Sequence, residues 1–143
     1  MTVTMQRVLF ICTHNSARSQ MAEGLLRHSH GKDYEAFSAG TVATTVHPLA
    51  IAVMREAGID ISQARSKETT ELRDITFDIV ITVCDSARES CPFFPASARR
   101  LHAGFEDPAA LEGPDEVRLQ KFRQVRDEIK DWIEECFGTG GAS

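Results

Sequence analysis

The 143-residue chain has no long hydrophobic run. Its first segment, Met1 to Arg7, is polar and precedes only four consecutive apolar residues, Val8 to Ile11. That pattern argues against a secretory leader or membrane span and predicts a cytoplasmic protein. A surplus of positive charge is missing as well. The formal net charge is −5, which excludes a broad surface for nucleic acid or anionic membrane, so any attraction for an anionic substrate must be local. None of the four cysteines forms a Cys-x-x-Cys pair and the histidines are scattered, so no zinc or other metal site is expected. Without an export signal those cysteines should be free thiols rather than a disulfide framework. Repeats and linkers are absent too. With 42% hydrophobic residues, residues 1–143 read as one domain, large enough to bury a core without metal or disulfide.

What the chain does have is a cysteine and an arginine six residues apart at the junction of a strand and a helix. Val8-Leu9-Phe10-Ile11 reads as a buried strand, and Met21, Ala22, Leu25 and Leu26 recur at helical spacing. The polar stretch between them, Cys12-Thr13-His14-Asn15-Ser16-Ala17-Arg18-Ser19, therefore opens a helix. Successive N–H groups at a helix start bind a tetrahedral oxyanion. A guanidinium such as that of Arg18 clamps two of its oxygens, and the same field stabilises a thiolate at Cys12. Residues Thr13 to Arg18 are thus the expected substrate cradle and Cys12 the expected nucleophile. His14 is a residue type that tolerates left-handed backbone geometry in such a loop.

Further along, Tyr34 to Ser38 alternates as a short strand ending at the Ala39-Gly40 turn. Pro48, the apolar run Leu49 to Met54 and Gly58 at the C′ position predict a compact helix. Ser62 or Ser66 is expected to cap a short helix over residues 67–73. Phe77 to Val83 reads as a buried parallel strand ending at Cys84, and a last short strand lies near Arg100 to Ala103, leading into Gly104-Phe105-Glu106-Asp107-Pro108. From Asp115, Val117, Phe122, Val125, Ile129, Trp132, Ile133 and Phe137 mark one long amphipathic helix, followed by a frayed tail over 138–143. Cys136 falls on its apolar side and reads as core; His47 and His102 read as caps or surface groups. Alternating strands and helices imply a doubly wound, flavodoxin-like α/β domain with about four parallel strands and helices on both faces. Ligands in such sheets bind outside the carboxyl ends of the strands. Cys12, Cys84 and the Asp107 loop all reach that edge.

The stretch Cys12-x5-Arg18-Ser19 with a late Asp107-Pro108 resembles the low-molecular-weight protein tyrosine phosphatases. The longer pattern resembles the thioredoxin-coupled arsenate reductases built on that fold. It comprises Phe10-Ile11-Cys12-Thr13-x-Asn15-Ser16-x-Arg18-Ser19-Gln20-Met21-Ala22-Glu23, then Ser38-Ala39-Gly40, Cys84-x6-Cys91-Pro92, and Phe105-x-Asp107-Pro108. The resemblance implies that Cys12 attacks arsenate while Asp107 protonates the departing oxygen and Ser19 hydrogen-bonds the Cys12 thiolate. It implies that Cys84 then attacks Cys12 to release arsenite, and that Cys91 attacks Cys84 to leave a Cys84–Cys91 disulfide for an external dithiol, usually thioredoxin. No flavin or nicotinamide motif is present, so no bound cofactor is expected and a thiol relay is the remaining protein-borne source of two electrons.

The resemblance also implies a monomer that takes arsenate, with phosphate or sulfate as analogues. Some relatives hold a potassium ion through groups matching Asn15 and Ser38 together with a Thr and an Asp; here those last two positions are Arg65 and Lys67. An ammonium in place of the carboxylate implies that Lys67 itself supplies the cation. Two other readings remain open. A plain low-molecular-weight phosphatase needs Cys12, Arg18 and Asp107 but has no use for Cys84 and Cys91. A non-catalytic oxyanion-binding or redox-sensing protein would bind without turnover.

Overall fold

The computed structural model describes residues 5–83 and 99–138 of the chain. Strands β1 (Gln6–Cys12), β2 (Tyr34–Gly40), β3 (Ile79–Thr82) and β4 (Arg99–His102) form one parallel sheet in the order β2-β1-β3-β4. Helices α1 (Arg18–His30), α2 (Pro48–Glu56) and α3 (Asp115–Phe137) complete the described domain, with α3 lying against both α1 and α2. Val8 to Ile11 are fully buried, and so is every residue of β3. Neighbouring side chains on a strand point to opposite faces, so both faces of the central strands are covered.

The expected four-stranded parallel α/β domain is what the chain forms. Winding proceeds from β1 to β2 on one side and then crosses to β3 on the other. The order reverses at β1, which opens a crevice beyond its carboxyl end. Register places Cys12 opposite Gly40, and Ile11 opposite Thr82.

Helix α2 starts as its sequence requires. Pro48 needs no N–H partner in the first turn, and the His47 side chain accepts from Leu49 N at 3.1 Å. It ends at Gly58, whose φ of +81° suits glycine in the C′ position. Along α3, Phe122, Val125, Ile129, Ile133 and Phe137 are buried. Two members of the predicted stripe differ: Val117 is half exposed, and Trp132 is only partly buried, edge-on to Phe105 and Phe137. A 23-residue helix outruns the small sheet beneath it, so its first turn lies beyond the core. Outside the core, Arg123 and Arg126 both reach Glu56, linking α3 to α2.

Other boundaries shift. Instead of a helix over 67–73 capped by serine there is a 3-10 turn, Thr69–Leu72, closed by a reciprocal capping box between Glu68 and Glu71. Ser62 N donates to Asp60, and the Ser66 hydroxyl is used elsewhere. Cys136 is partly buried rather than core. It lines a cavity of about 440 Å³ with Gln6, Tyr34, Asp78 and Arg99, at the amino-terminal edge of the sheet. Burial, with Glu135 nearby, raises its thiol pKa. Cys84, Cys91 and residues 139–143 lie outside the described residues. No helix among the described residues is long and apolar enough to cross a membrane.

Candidate active site

Residues 13–17 bridge β1 and α1, and the surrounding chain turns their carbonyls outward. Cys12 O accepts from Thr41 N, and Thr13 O accepts from Val42 N and Thr41 Oγ1. His14 O accepts from Thr44 Oγ1 and Ser66 Oγ, Asn15 O from Gln20 Nε2, and Ser16 O from His47 N. Ala17 O accepts from Met21 N as α1 begins. In a trans peptide the carbonyl and the next N–H point in opposite directions, and no cis bond occurs among the described residues. Six outward carbonyls therefore turn the N–H groups of residues 13–18 to the other side of the loop. The first turn of α1 adds no acidic residue and no side-chain cap. This is an anion nest at a helix start.

Asn15, not His14, takes the left-handed conformation, with φ of 51°. Asparagine tolerates that geometry because its short amide bonds locally, and here the bonds are specific. Asn15 is fully buried. Its Oδ1 accepts from Lys67 N at 2.9 Å and from Gln20 Nε2 at 2.9 Å, while Nδ2 donates to Ser19 Oγ at 2.8 Å. The backbone donor Lys67 N fixes which end of the amide is oxygen. Ser19 Oγ accepts a hydrogen bond from Asn15 and lies 2.9 Å from Cys12 Sγ, a contact in which its O–H donates when the sulfur is a thiolate. Cys12 is 2% exposed at the end of β1.

Arg18 is held by its far side. Nη1 donates to Phe105 O at 3.1 Å, and Nη2 lies 3.7 Å from Asp107 Oδ2. Asp107 caps the short turn Pro108–Ala110 through Ala109 N. The carboxyl edge thus brings together Cys12, Ser19, Arg18 and Asp107, residues drawn from both ends of the chain. His47 stands beside them: its N–H holds Ser16 O, its ring packs on Phe122 at 4.7 Å, and burial with nearby Arg118 lowers its pKa against the opposing pull of Asp107.

Residues 7–139 match the family model described as low molecular weight phosphotyrosine protein phosphatase. An arsenate reductase of Halalkalibacterium halodurans is 43% identical over 133 residues, covering 93% of this chain and 96% of that one. The chain belongs to the low-molecular-weight phosphatase family, in its arsenate reductase branch. Among solved structures, an arsenate reductase in the oxidised state superposes with a TM-score of 0.79 at 33% identity, covering 94% of this chain and 98% of that one. The thioredoxin-dependent arsenate reductase of Corynebacterium glutamicum gives 0.65 at 30% identity, covering 97% of this chain and 65% of that one.

The positions where the resemblance implies a potassium ion in some relatives cluster around Glu23 and Lys67 here. Glu23, with its side chain 9% exposed, accepts from Ser38 Oγ at 2.6 Å and pairs with Arg27 at 2.9 Å. Lys67 Nζ stands 3.9 Å from Glu23 Oε1 and donates to Arg65 O at 3.0 Å. The Lys67 ammonium thus stands beside the Glu23 carboxylate, where a second cation would meet its repulsion.

Several residues that build this family loop have roles that the sequence does not spell out, although Gln20 stands in the matched pattern. Gln20, 1% exposed, donates through Nε2 to Asn15 O, Asn15 Oδ1 and Arg65 O, while its Oε1 has no hydrogen-bond partner among the described residues. Leaving a buried carbonyl oxygen unpaired costs about 1–3 kcal/mol. Thr44 and Ser66 hold His14 O, and Ser66 Oγ also accepts from Thr44 N. Gly40 lies so close to the loop that a Cβ there would sit 2.8 Å from Asn15 N and from Thr13 O. Gly40 stood in the matched pattern as a turn residue, which is the one hint of this approach.

Proposed function

We propose that this protein reduces arsenate to arsenite. The observation that carries the reading is the ring of six outward carbonyls, Cys12 to Ala17, which leaves an N–H nest around the sulfur of Cys12. A tetrahedral oxyanion in the nest meets the Arg18 guanidinium, with the Asp107 carboxyl 3.7 Å from that guanidinium. Cys12 attacks arsenic as a thiolate, kept in that form by the Ser19 hydroxyl. An oxygen leaves as water with a proton from Asp107. Two electrons then reach arsenic when a second thiol attacks the Cys12 sulfur: the sulfur–arsenic bond breaks, its electron pair stays on arsenic, and arsenite departs.

The relatives' arsenate reductase activity and the matched Cys84-x6-Cys91 pattern support Cys84 as that second thiol and Cys91 as the third. Attack by Cys91 on Cys84 frees Cys12 and stores the oxidation as a Cys84–Cys91 disulfide. An external dithiol, thioredoxin in this reading, returns the enzyme to its reduced form. Phosphate-ester hydrolysis at the same nest, needing only Cys12, Arg18 and Asp107, is a side activity supported by the family match.

An NADPH-coupled assay with thioredoxin reductase and thioredoxin, run beside an aryl phosphate, tests the scheme. Cys12→Ser should abolish both reactions. Cys84→Ser should stop arsenate reduction and spare ester hydrolysis, and Cys91→Ser should leave a Cys12–Cys84 disulfide after one turnover, visible by peptide mapping. Arsenate turnover in Cys12→Ser would refute the nucleophile. Full turnover in Cys84→Ser would refute the relay.

A further inference from the structure

We propose that Gln20 is a positioning residue for the nucleophile: its side-chain amide holds Asn15 in the left-handed turn and fixes the direction of the hydrogen-bond chain that ends on Cys12. The inference rests on Cys12 being the nucleophile, and it concerns a residue that bonds to the outer side of the loop and touches neither the sulfur nor the N–H face of the nest.

Gln20 sits in the first turns of α1, 1% exposed, with an amide used on one side alone. Nε2 faces three oxygens, Asn15 O at 3.2 Å, Asn15 Oδ1 at 2.9 Å and Arg65 O at 3.1 Å. Two of these are backbone carbonyls and accept only, so the nitrogen end must face them. The oxygen end is buried without a partner among the described residues. A methionine of similar shape would fill the space without burying an unpaired oxygen, so packing does not explain the amide. Its donors do.

Those donors close on both ends of one residue. Gln20 draws the main-chain carbonyl and the side-chain oxygen of Asn15 to the same nitrogen, a geometry that the φ of 51° permits and that an extended Asn15 would break. It also tethers Asn15 to the segment carrying Lys67 N, the other donor to Oδ1. With Oδ1 held by two donors, Nδ2 must face Ser19 and occupies one lone pair of its hydroxyl, and once Cys12 is a thiolate only the Ser19 O–H can donate between the two. With Cys12 as a thiolate, donation runs one way, from Gln20 through Asn15 and Ser19 to sulfur. Its terminus stabilises that thiolate by a charge-assisted hydrogen bond.

The test is the pH profile of Cys12 alkylation by iodoacetamide, read on the Cys12 peptide by mass spectrometry. In Gln20→Met the profile should move to more alkaline pH, with the rate at neutral pH lower by about threefold or more. Gln20→Glu should show a different signature. A protonated carboxyl still donates one bond to Asn15, whereas an ionised one faces three oxygens and repels them, so its rate relative to the unmodified protein should fall as pH rises. A residue that merely packs would lower the melting temperature and leave the profile of the folded protein unmoved; that result in both variants overturns the proposal.

Hydrogen exchange of the Gln20 side-chain amide, followed by NMR in the unmodified protein, needs no variant. Both protons should be protected, and rapid exchange of either would also overturn the assignment. Cys12→Ser separates this proposal from the reading beneath it. If Cys12→Ser still turns over arsenate, the nucleophile is wrong. If Cys12→Ser is inactive and the Gln20 variants keep the original profile, only the role of Gln20 fails.

Discussion

Lys67 works through both its backbone and its side chain. Its N–H fixes the oxygen end of Asn15, and its ammonium lies beside buried Glu23. Burial lowers its pKa, and Glu23 opposes that shift. The unmodified protein should therefore show the same melting temperature and turnover in matched sodium and potassium salts. Lys67→Asp should replace the ammonium by a carboxylate among Asn15 Oδ1, Ser38 Oγ and Glu23, and so create a selective gain in potassium; melting and turnover in the two salts measure it. A selective potassium effect in the unmodified protein would contradict this account.

At the same scale, Cys12 and Arg18 were legible because both fall inside one short segment whose flanks have clear periodicity. Asp107 was legible through its place in the matched pattern. The residues that shape the loop were not. Gln20 bonds to Arg65 and Ser66 to His14, partners 45 and 52 positions apart. Local spacing carries no record of such pairs. His14 tolerates left-handed geometry by residue type, yet Asn15 holds it, because the choice depends on what waits to receive each side chain.

At the scale of elements, the close approach of β2 to the loop is the contact on which the nest depends. Gly40 ends β2 level with Cys12, and a methyl group there would meet Val42 O at 2.7 Å as well as the two loop atoms. All three are backbone atoms and cannot swing away. Gly40→Ala should therefore leave the sheet folded and displace the loop, costing on the order of 10²-fold in kcat/KM. Circular dichroism, calorimetric phosphate binding and turnover check this together; unchanged phosphate affinity would show that the loop absorbs the methyl group.

Helix α2 adds a pH dependence. His47 Nδ1 accepts from Leu49 N, so protonation at Nδ1 breaks the cap, and burial with Arg118 lowers the pKa from the ordinary 6.5. As pH falls through that value the unfolded chain takes up a proton that the folded chain refuses. Stability should fall with it until His47 itself protonates. His47→Asn, which keeps a capping oxygen, should flatten this slope in urea unfolding measured from about pH 5 to 8. An unchanged slope would assign it to other groups.

The elements themselves were mostly readable. Strand β1, helix α2 and helix α3 show unbroken apolar periodicity with proper starts or stops. The segment over 67–73 became a 3-10 turn because Glu68 and Glu71 cap each other while Ser66 bonds to the loop.

At the scale of the whole molecule, a chain of net charge −5 builds an anion site with one clamping guanidinium and a ring of peptide dipoles. The topology decides where that ring is attached. Strand β1 is hydrogen-bonded on both sides, to β2 and to β3, and its last residues are fully buried. The opening free energy of a folded protein is distributed unevenly, and amides of such a doubly flanked strand exchange with solvent only when most of the domain opens. Val8 to Cys12 should accordingly be among the slowest-exchanging amides, whereas Arg99 to His102, on an edge strand with exposed side chains, should exchange sooner. The reactive sulfur is thus mounted on a part of the protein that local breathing does not reach. Its position relative to the sheet is set by global stability rather than by the motions of the loop around it.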